Sequence, residues 1–301
     1  MPAVERALAD SSDAELRASV AHLTGAGIGG TSGRLEAGGT PVFVKLVPLT
    51  AVELRPEHRY STANLFGLPP QFHYGIGSPG FGAWRELAAH RLVDGWVRSG
   101  ATEAFPLLYH WRVLDGFEAG LPPELADVER TVAYWDGSPA VRGRITALGR
   151  ATARLALFLE WFPSTLEQEF GDPEEVERQL LAGVEFMNTR GLLHFDAHFG
   201  NVLTDGRRLA FTDFGMATHD GFELSPSERE FVAERAAYDR DCVGYRLVQH
   251  LEGRSGGRPR GIVGSAAAVL LRHAERARVT GEFYRRVQQE SRTVRYPVSP
   301  R

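Results

Sequence analysis

The spacing of apolar residues predicts a chain that mixes strands and helices. Apolar runs at 41–44, 105–114 and 155–160 are short, as buried strands are. Residues 1–19 predict one short helix, with Leu8, Leu16 and Val20 available for packing, and 20–47 predict a strand, a glycine-rich turn and a pair of strands. Apolar residues recurring at every fourth position predict a further helix with a wide buried face: Trp84, Ala88, Leu92 and Trp96.

The second half of the chain carries clear helix and hairpin signals. Asp172 is a typical N-cap residue and Pro173 fits a first helical turn. A helical period of apolar residues then continues to Gly191, a natural stop. Beyond it, two short apolar runs at 202–203 and 209–211 flank the dipeptide Asp205-Gly206, which predicts a tight β-hairpin.

Two long insertions, 48–82 and 115–140, interrupt these elements, and both are predicted to be irregular. The first is rich in glycine and proline, yet it carries too many apolar residues for a free linker. It is therefore either a loop that packs on the domain or a lid over a substrate or partner. The pattern divides the chain into an N-terminal helical extension (1–19), a strand-rich unit with both insertions (20–162) and a helical unit (163–301).

Composition narrows the classes of function. A net charge of −4 gives no general attraction to nucleic acid, so no nucleic-acid partner is expected. A single cysteine and an N-terminus without a secretory leader predict a cytoplasmic protein with no disulfide framework. No apolar run is long enough for a membrane span, and no membrane partner is expected. Arginines scattered from Arg272 to Arg301 form either a solvated helix face or a patch for an anionic partner.

The chain has one lysine, Lys45, among 34 lysine and arginine residues. Every other lysine or arginine position holds arginine, so a lysine here indicates a position that a planar guanidinium cannot fill. Lys45 follows the strand at 41–44, and a compact ammonium there could reach between two phosphates. Upstream lies a glycine cluster that could close over those phosphates; its candidate binding residues are Gly25, Gly27, Gly29, Gly30, Thr31 and Ser32.

A second set of polar residues surrounds the predicted hairpin. Residues 194–201 read H-x-D-x-x-x-x-N, and Asp213-Phe214-Gly215 follows twelve residues after Asn201. The hairpin between them should bring Asn201 and Asp213 to one space beside Asp196. Their oxygens suit Mg²⁺, which is usually held by a few protein oxygens together with substrate phosphates.

On these motifs the chain resembles the protein-kinase-like superfamily, from about Gly25 to Leu251. The resemblance implies that Lys45 contacts the α- and β-phosphates of ATP and that Asp196 is the catalytic base. It implies that Asn201 and Asp213 are ligands of Mg²⁺.

The resemblance also implies a partner for the lysine and a hinge for the adenine. The partner most similar to the family's glutamate is Glu86, with Glu53 as a competitor nearer in sequence. The segment 155–163 resembles the hinge strand, where adenine would pair with backbone groups of Glu160 and Phe162.

The motifs combine features of two branches of this superfamily. His198 completes H-x-D-x-H-x-x-N, which looks like the aminoglycoside and choline phosphotransferase pattern, whereas Asp213-Phe214-Gly215 is more similar to protein kinases. His198 either contacts the transferred phosphate or orders the loop through a hydrogen bond. His194 is expected to pack under the loop.

The expected fold is therefore α+β and bilobal, like that of protein kinases, with an antiparallel five-stranded sheet in the N-lobe and a mainly helical C-lobe. The expected function is Mg·ATP-dependent transfer of the γ-phosphate to a hydroxyl, with a small molecule favoured as acceptor. Two alternatives remain. One is a kinase for a peptide or protein Ser/Thr, including a natural-product peptide, and the other is a pseudokinase that binds nucleotide and a partner without turnover.

Overall fold

A computed structural model describes residues 1–27, 29–254 and 264–297 and confirms the α+β class. The chain forms two compact units. The first comprises Met1–Thr102, Pro106–Phe162 and Phe214–Met216; the second comprises Glu103–Phe105, Pro163–Asp213 and the described part of the chain from Ala217 onward. Ile28 of the glycine cluster and Arg301 lie outside the described residues. Across the three described ranges, no helix has the length and apolar character needed to cross a membrane.

An antiparallel sheet organises the first unit. Its strands are β1 (Gly25–Gly27), β2 (Gly30–Ala37), β3 (Thr40–Leu49), β4 (Leu108–Leu114) and β5 (Ala153–Glu160). They lie in the order β1-β2-β3-β5-β4, with the three-residue β1 at one edge. Lys45 pairs with Ser32 of β2 and Leu157 of β5, so the lone lysine projects from the middle strand of the sheet.

Two helices, not one, precede the sheet: α1 (Ala3–Asp10) and α2 (Asp13–Val20). The break follows from a capping box, in which Ser12 accepts from the Glu15 backbone N–H and the Glu15 carboxylate accepts from the Ser12 backbone N–H. Both helices bury apolar side chains in the same core as β3 and β5, including Leu8 and Leu16. The N-terminal segment is thus part of the first unit's core.

Helix α3 (Ala83–Arg98) packs against the sheet through a second core that includes Trp84, Leu87 and Leu157. The predicted apolar stripe is only partly correct, because Trp84 is buried but Ala88, Leu92 and Trp96 are half-buried. Instead, the first turns of α3 are buried nearly all round, since the first insertion covers them. The backbone of Thr62 accepts from Arg85, for example, and Tyr60 packs edge-on against Trp84.

The two insertions pack on each other within the first unit. The first contains 3-10 turns at Pro56–His58 and Pro70–Tyr74. The prediction that 115–140 is irregular was wrong, because Asp127 caps helix α4 (Val128–Tyr134); α5 (Pro139–Gly149) follows. Both insertions contribute to one apolar cluster, whose buried members are Leu68, Phe72, Phe81, Val132, Trp135, Val141 and Ile145. Phe72 is 0% and Tyr74 5% exposed, which favours the packing loop over a lid built on these aromatics.

Helices dominate the second unit. It contains β6 (Ser164–Thr165), α6 (Pro173–Asn188), β7 (Leu192–Leu193), β8 (Val202–Thr204), β9 (Leu209–Phe211), β10 (Thr218–His219), α7 (Pro226–Ala233), α8 (Tyr238–Arg254) and α9 (Ser265–Gln289). The predicted start of α6 is confirmed, because the Asp172 carboxylate accepts from the N–H groups of Glu174 and Glu175. The predicted hairpin is also confirmed, with β8 and β9 paired in antiparallel register.

Arginines of α9 make ion pairs within the second unit. Arg272 pairs with Glu177 of α6, and Arg276 pairs with Asp241 of α8. Arg285 and Arg286 pair with acids one turn away on the exposed face. These contacts support the solvated helix face over a patch for an anionic partner.

Candidate functional site

In the first unit, Lys45 and Glu86 form a buried ion pair. Lys45 Nζ lies 2.6 Å from Glu86 Oε1, and the two residues are 7% and 3% exposed. The sheet places the lysine and helix α3 places the glutamate, 41 residues later in the chain. The prediction that Glu86, rather than Glu53, would partner the lysine agrees with this geometry.

Glu53 has a structural role at the start of α3, which the sequence did not indicate. Its carboxylate, 1% exposed, accepts from the backbone N–H of Ala83 at 2.8 Å and from Arg144 Nη1 at 2.9 Å. Ala83 is the first residue of α3, and Gly82 before it has no side chain to serve as N-cap. Glu53 therefore caps α3 from outside the helix and satisfies a backbone donor that would otherwise be buried and unpaired. Because Glu86 lies one turn further along, this cap sets the position of the Lys45 partner.

The glycine cluster lies beside Lys45 in strands β1 and β2 and the turn between them. A Cβ on Gly29 would lie 3.2 Å from Lys45 Nζ, so a side chain at this position would crowd the ammonium. Gly30 has a φ of 129°, and a Cβ there would lie 2.1 Å from the Leu46 carbonyl oxygen. Gly30 is thus required by the sheet itself, whereas Gly29 lies against the end of the lysine side chain. Gly25, Gly27, Thr31 and Ser32 lie in the two paired strands.

The predicted hinge residues lie at and after the end of β5. The Glu160 N–H donates to the Leu107 carbonyl at 2.9 Å, and its carboxylate accepts from the Leu107 N–H at 3.2 Å. A bound adenine would therefore have to use the Glu160 carbonyl rather than its amide. Phe162, 5% exposed, is the last residue of the segment Pro106–Phe162 of the first unit.

Residues 214–216 belong to the first unit, where they contact α3 and the first insertion. Phe214 is fully buried and meets the ring of His90 edge-on, with 4.9 Å between centroids. His73 Nδ1 lies 2.7 Å from the Met216 carbonyl oxygen. The helix that carries Glu86 and the insertion thus both hold the segment that follows Asp213.

In the second unit, Asp239 anchors the loop that carries Asp196. The fully buried Asp239 carboxylate accepts from the backbone N–H groups of His194 and Phe195, each at 2.8 Å. Phe195 has a φ of 63°, a conformation that costs energy in a residue with a side chain. Burial raises the pKa of Asp239 to about 6, although the two N–H donors act in the opposite direction.

His194 packs under the same loop, as predicted. Its Nε2 lies 3.0 Å from the Thr212 carbonyl oxygen, and its Nδ1 accepts from the Asp196 N–H at 3.3 Å. Complete burial lowers the pKa of His194 to about 4. The ring is therefore neutral near pH 7, with its proton on Nε2 and its lone pair toward Asp196.

Asp196 and Asn201 are brought into contact. Asn201 Nδ2 donates to the Asp196 carboxylate at 3.1 Å and to the Asp196 carbonyl at 3.0 Å. The hairpin returns the chain so that the Thr212 N–H donates to the Asn201 carbonyl at 3.0 Å. Asp213 follows with a φ of 62°, again a sparsely populated conformation.

His198 orders the loop, one of the two roles left open. Its Nδ1 accepts from the Gly200 N–H at 3.1 Å, which caps the short turn at Phe199–Asn201. Its Nε2 therefore carries the proton and lies 3.8 Å from Asp196 Oδ2, too far for a hydrogen bond. Burial and the charge of Arg246 lower the pKa of His198.

The donor set fits Mg²⁺ only when the ion arrives with phosphates. Among the described residues, no three His, Cys, Asp or Glu side chains are grouped so that they could hold a metal alone. With its amide nitrogen turned to Asp196, Asn201 keeps Oδ1 as its possible metal ligand, and Asp213 supplies a carboxylate. Mg²⁺ in nucleotide sites commonly takes one or two protein ligands and completes its shell with phosphates and water.

Sequence reasoning missed the residues that position this machinery. Asp239 lies close in sequence to Tyr238, Cys242 and Val243, and an acid in such an apolar stretch is a signal for a buried carboxylate. Glu53 was considered only as a rival of Glu86. Their roles arise from contacts with His194 and Ala83, distant in the sequence, which no local pattern encodes.

Comparison with models of known protein families gives no match, and no curated protein matches the chain at a significant level.

Proposed function

We propose that the protein is a Mg·ATP-dependent phosphotransferase with a bilobal, protein-kinase-like fold, and that it acts on the hydroxyl of a small molecule. The support comes chiefly from the Lys45–Glu86 ion pair. Burying two charges costs desolvation free energy, and such a pair is a weak source of stability. A buried ammonium beside a glycine-rich turn is, in contrast, suited to phosphate binding.

Each named residue has a part in the proposed reaction. The acceptor oxygen bonds to the γ-phosphorus while the bond from phosphorus to the β–γ bridging oxygen breaks, giving ADP and a phosphate ester. Asp196 receives the hydroxyl proton, and Asn201 holds the Asp196 carboxylate in place. Lys45, oriented by Glu86, compensates phosphate charge, and Asn201 Oδ1 and Asp213 would hold Mg²⁺, which neutralises the developing charge when bound.

The Asp196→Asn variant tests this proposal. Its turnover number for ADP formation should fall by roughly 10²–10⁴-fold, the range for a positioned general base, with nucleotide affinity nearly unchanged. The matched control is Asp205→Asn, in the exposed hairpin turn, where an amide oxygen can still accept from the Arg207 and Arg208 N–H groups. Full turnover by Asp196→Asn would assign the catalytic carboxylate elsewhere. ATP binding without turnover in the wild-type protein would favour the pseudokinase.

A further inference from the structure

A cavity in the second unit shares its wall with the loop that carries Asp196. Its volume is about 440 Å³, within the range of small-molecule sites. It is lined by Glu167, His198, Phe199, Arg246, Gln249 and His250. Two of these, His198 and Phe199, belong to the catalytic loop itself.

Aromatic rings make one side of this cavity rigid. His250 stacks on Phe170 with 4.1 Å between centroids and an angle of 20°. Phe199 packs on both rings, at 5.8 Å from each. The result is a flat, apolar surface between charged groups.

One of those charged groups is Glu167. Its backbone N–H donates to the Phe199 carbonyl at 3.2 Å, which fixes this segment against the catalytic loop. Its carboxylate would come within 3.3 Å of a Cβ on Gly200. Glycine at that position therefore lets the carboxylate and the His198 ring lie side by side.

The opposite charge is Arg246, on α8. Its Nη1 donates to Gln249 Oε1 at 3.1 Å, and Gln249 in turn donates to the Tyr245 hydroxyl at 2.6 Å. Arg246 Nε is buried and has no hydrogen-bond partner within the described ranges. No ion pair joins Glu167 to Arg246, or either of them to another described residue. This contrasts with Arg272 and Arg276 nearby, which are both paired.

We propose that this cavity is the acceptor site and that it takes a small zwitterionic hydroxyl compound of the amino-acid type. The carboxylate of the ligand binds Arg246, and its ammonium binds Glu167. The assignment rests on the proposed phosphotransferase function. A ligand with both charges pairs with both side chains, whereas a neutral or singly charged ligand leaves at least one of them without an ion pair, so the site discriminates by charge.

The position of the acceptor hydroxyl follows from His198. The Nε2–H of this ring and the Asp196 carboxylate are separated by a gap that a shared third atom can bridge. A hydroxyl placed there accepts from His198 Nε2 and donates its proton to Asp196 as its oxygen bonds to the γ-phosphorus of ATP and ADP departs. His198 thus holds the acceptor oxygen, while its Nδ1 keeps the loop in shape.

The test compares four hydroxyl probes with Mg·ATP: L-serine, ethanolamine, 3-hydroxypropanoate and the uncharged N-acetyl-L-serinamide. The wild-type kcat/KM should be highest for L-serine by roughly 10–100-fold, the value of one hydrogen bond to a charged group. Arg246→Met should erase the advantage of L-serine over ethanolamine, and Glu167→Gln should erase its advantage over 3-hydroxypropanoate. The exposed Arg229→Met and Glu169→Gln are matched controls and should leave the order of the probes unchanged.

Binding of the same probes to the nucleotide-free protein, followed through the NMR signals of His198 and His250, separates the two proposals. If Asp196→Asn abolishes ATP turnover but L-serine neither binds nor outperforms the other probes, the acceptor-site assignment is wrong and the phosphotransferase stands. If ATP turnover is absent or indifferent to Asp196→Asn, the phosphotransferase itself is wrong. If N-acetyl-L-serinamide is the best acceptor, the proposal of a zwitterionic acceptor is wrong, and the acceptor is a seryl residue of a peptide.

Discussion

At the scale of single residues, the central feature is the buried ammonium of Lys45, the one lysine of the chain. Lys45 Nζ is held at 2.6 Å from Glu86 Oε1 and faces the position where Gly29 lacks a side chain. A guanidinium is larger and planar, and it donates in a fixed fork. The chain uses arginine at every other lysine or arginine position, and we propose that Lys45 is needed for its geometry rather than for its charge.

Lys45→Arg should therefore lose activity although it keeps the charge. We expect kcat/KM for ADP formation to fall by roughly 10²-fold or more, the cost of a misplacement of about 1 Å in a catalytic constellation. Steady-state kinetics measure the loss, and circular dichroism checks the fold. The control is Arg91→Lys, an exposed exchange on α3 that should change neither. A Lys45→Arg variant with wild-type kinetics would show that only the charge matters.

At the scale of elements, helix α3 is fixed by the insertion that precedes it. Glu53 caps the helix through the Ala83 N–H, and its Oε2 accepts from the buried Arg144 of α5. The Glu53 backbone carbonyl also accepts from Trp84 Nε1 at 2.8 Å. These contacts link the two insertions to the helix that carries Glu86, and they position the glutamate without touching the lysine.

Breaking this link should cost stability and activity together. Arg144→Met leaves a buried carboxylate uncompensated, and we expect the free energy of unfolding to fall by about 3–5 kcal/mol. Glu53→Gln turns an amide nitrogen toward donor groups and should cost a similar amount. Because the two side chains act as one pair, the double variant should be less destabilised than the sum of the single variants. Chemical denaturation of all four proteins measures the coupling, and additive losses would contradict the proposed link.

Local signals predicted some elements well, and their failures have physical causes. Helix α6 and the β8–β9 hairpin were predictable because Asp172 and Asp205-Gly206 determine the backbone within a few residues. The buried face of α3 was not, because the covering insertion buries Arg85 and Glu86 as deeply as Trp84. Helix α4 was missed in a segment whose acid and proline content suggested a loop. In the site, Lys45, Glu86, Asp196 and Asn201 follow from motifs, whereas Asp239 and Glu53 act through contacts distant in sequence.

At the scale of the whole molecule, two buried groups with opposite pH dependence meet at the loop that carries Asp196. The lowered pKa of His194, about 4 against an ordinary 6.5, means that its contribution to stability is lost as the pH falls through this range. The raised pKa of Asp239, about 6 against 3.8, has the opposite sign, and its contribution to stability is lost as the pH rises. Between pH 6 and pH 4 the two effects oppose each other.

Asp239→Asn should make the protein acid-sensitive. The amide keeps only one of the two oxygens that accept from the His194 and Phe195 N–H groups, so we expect a cost of about 1–3 kcal/mol at pH 7. As the pH falls to 4, protonation of Asp239 stabilises the wild-type protein and offsets the loss at His194, but the variant lacks this gain. The difference in free energy of unfolding between the two proteins should therefore widen by up to about 3 kcal/mol. Denaturant unfolding of both proteins at several pH values measures this gap. A gap that stays constant or narrows toward pH 4 would show that Asp239 is ionised throughout this range.

The most direct test of the central claim is calorimetric titration of the protein with ATP, with and without Mg²⁺. The account predicts Mg²⁺-dependent binding and a rise in melting temperature, because a ligand selective for the folded state stabilises it by about 2.7 kcal/mol at a hundredfold excess over Kd. In Asp213→Ala the Mg²⁺ dependence should disappear while the fold remains intact. Absence of ATP binding by the wild-type protein at millimolar Mg·ATP would contradict the account at its centre.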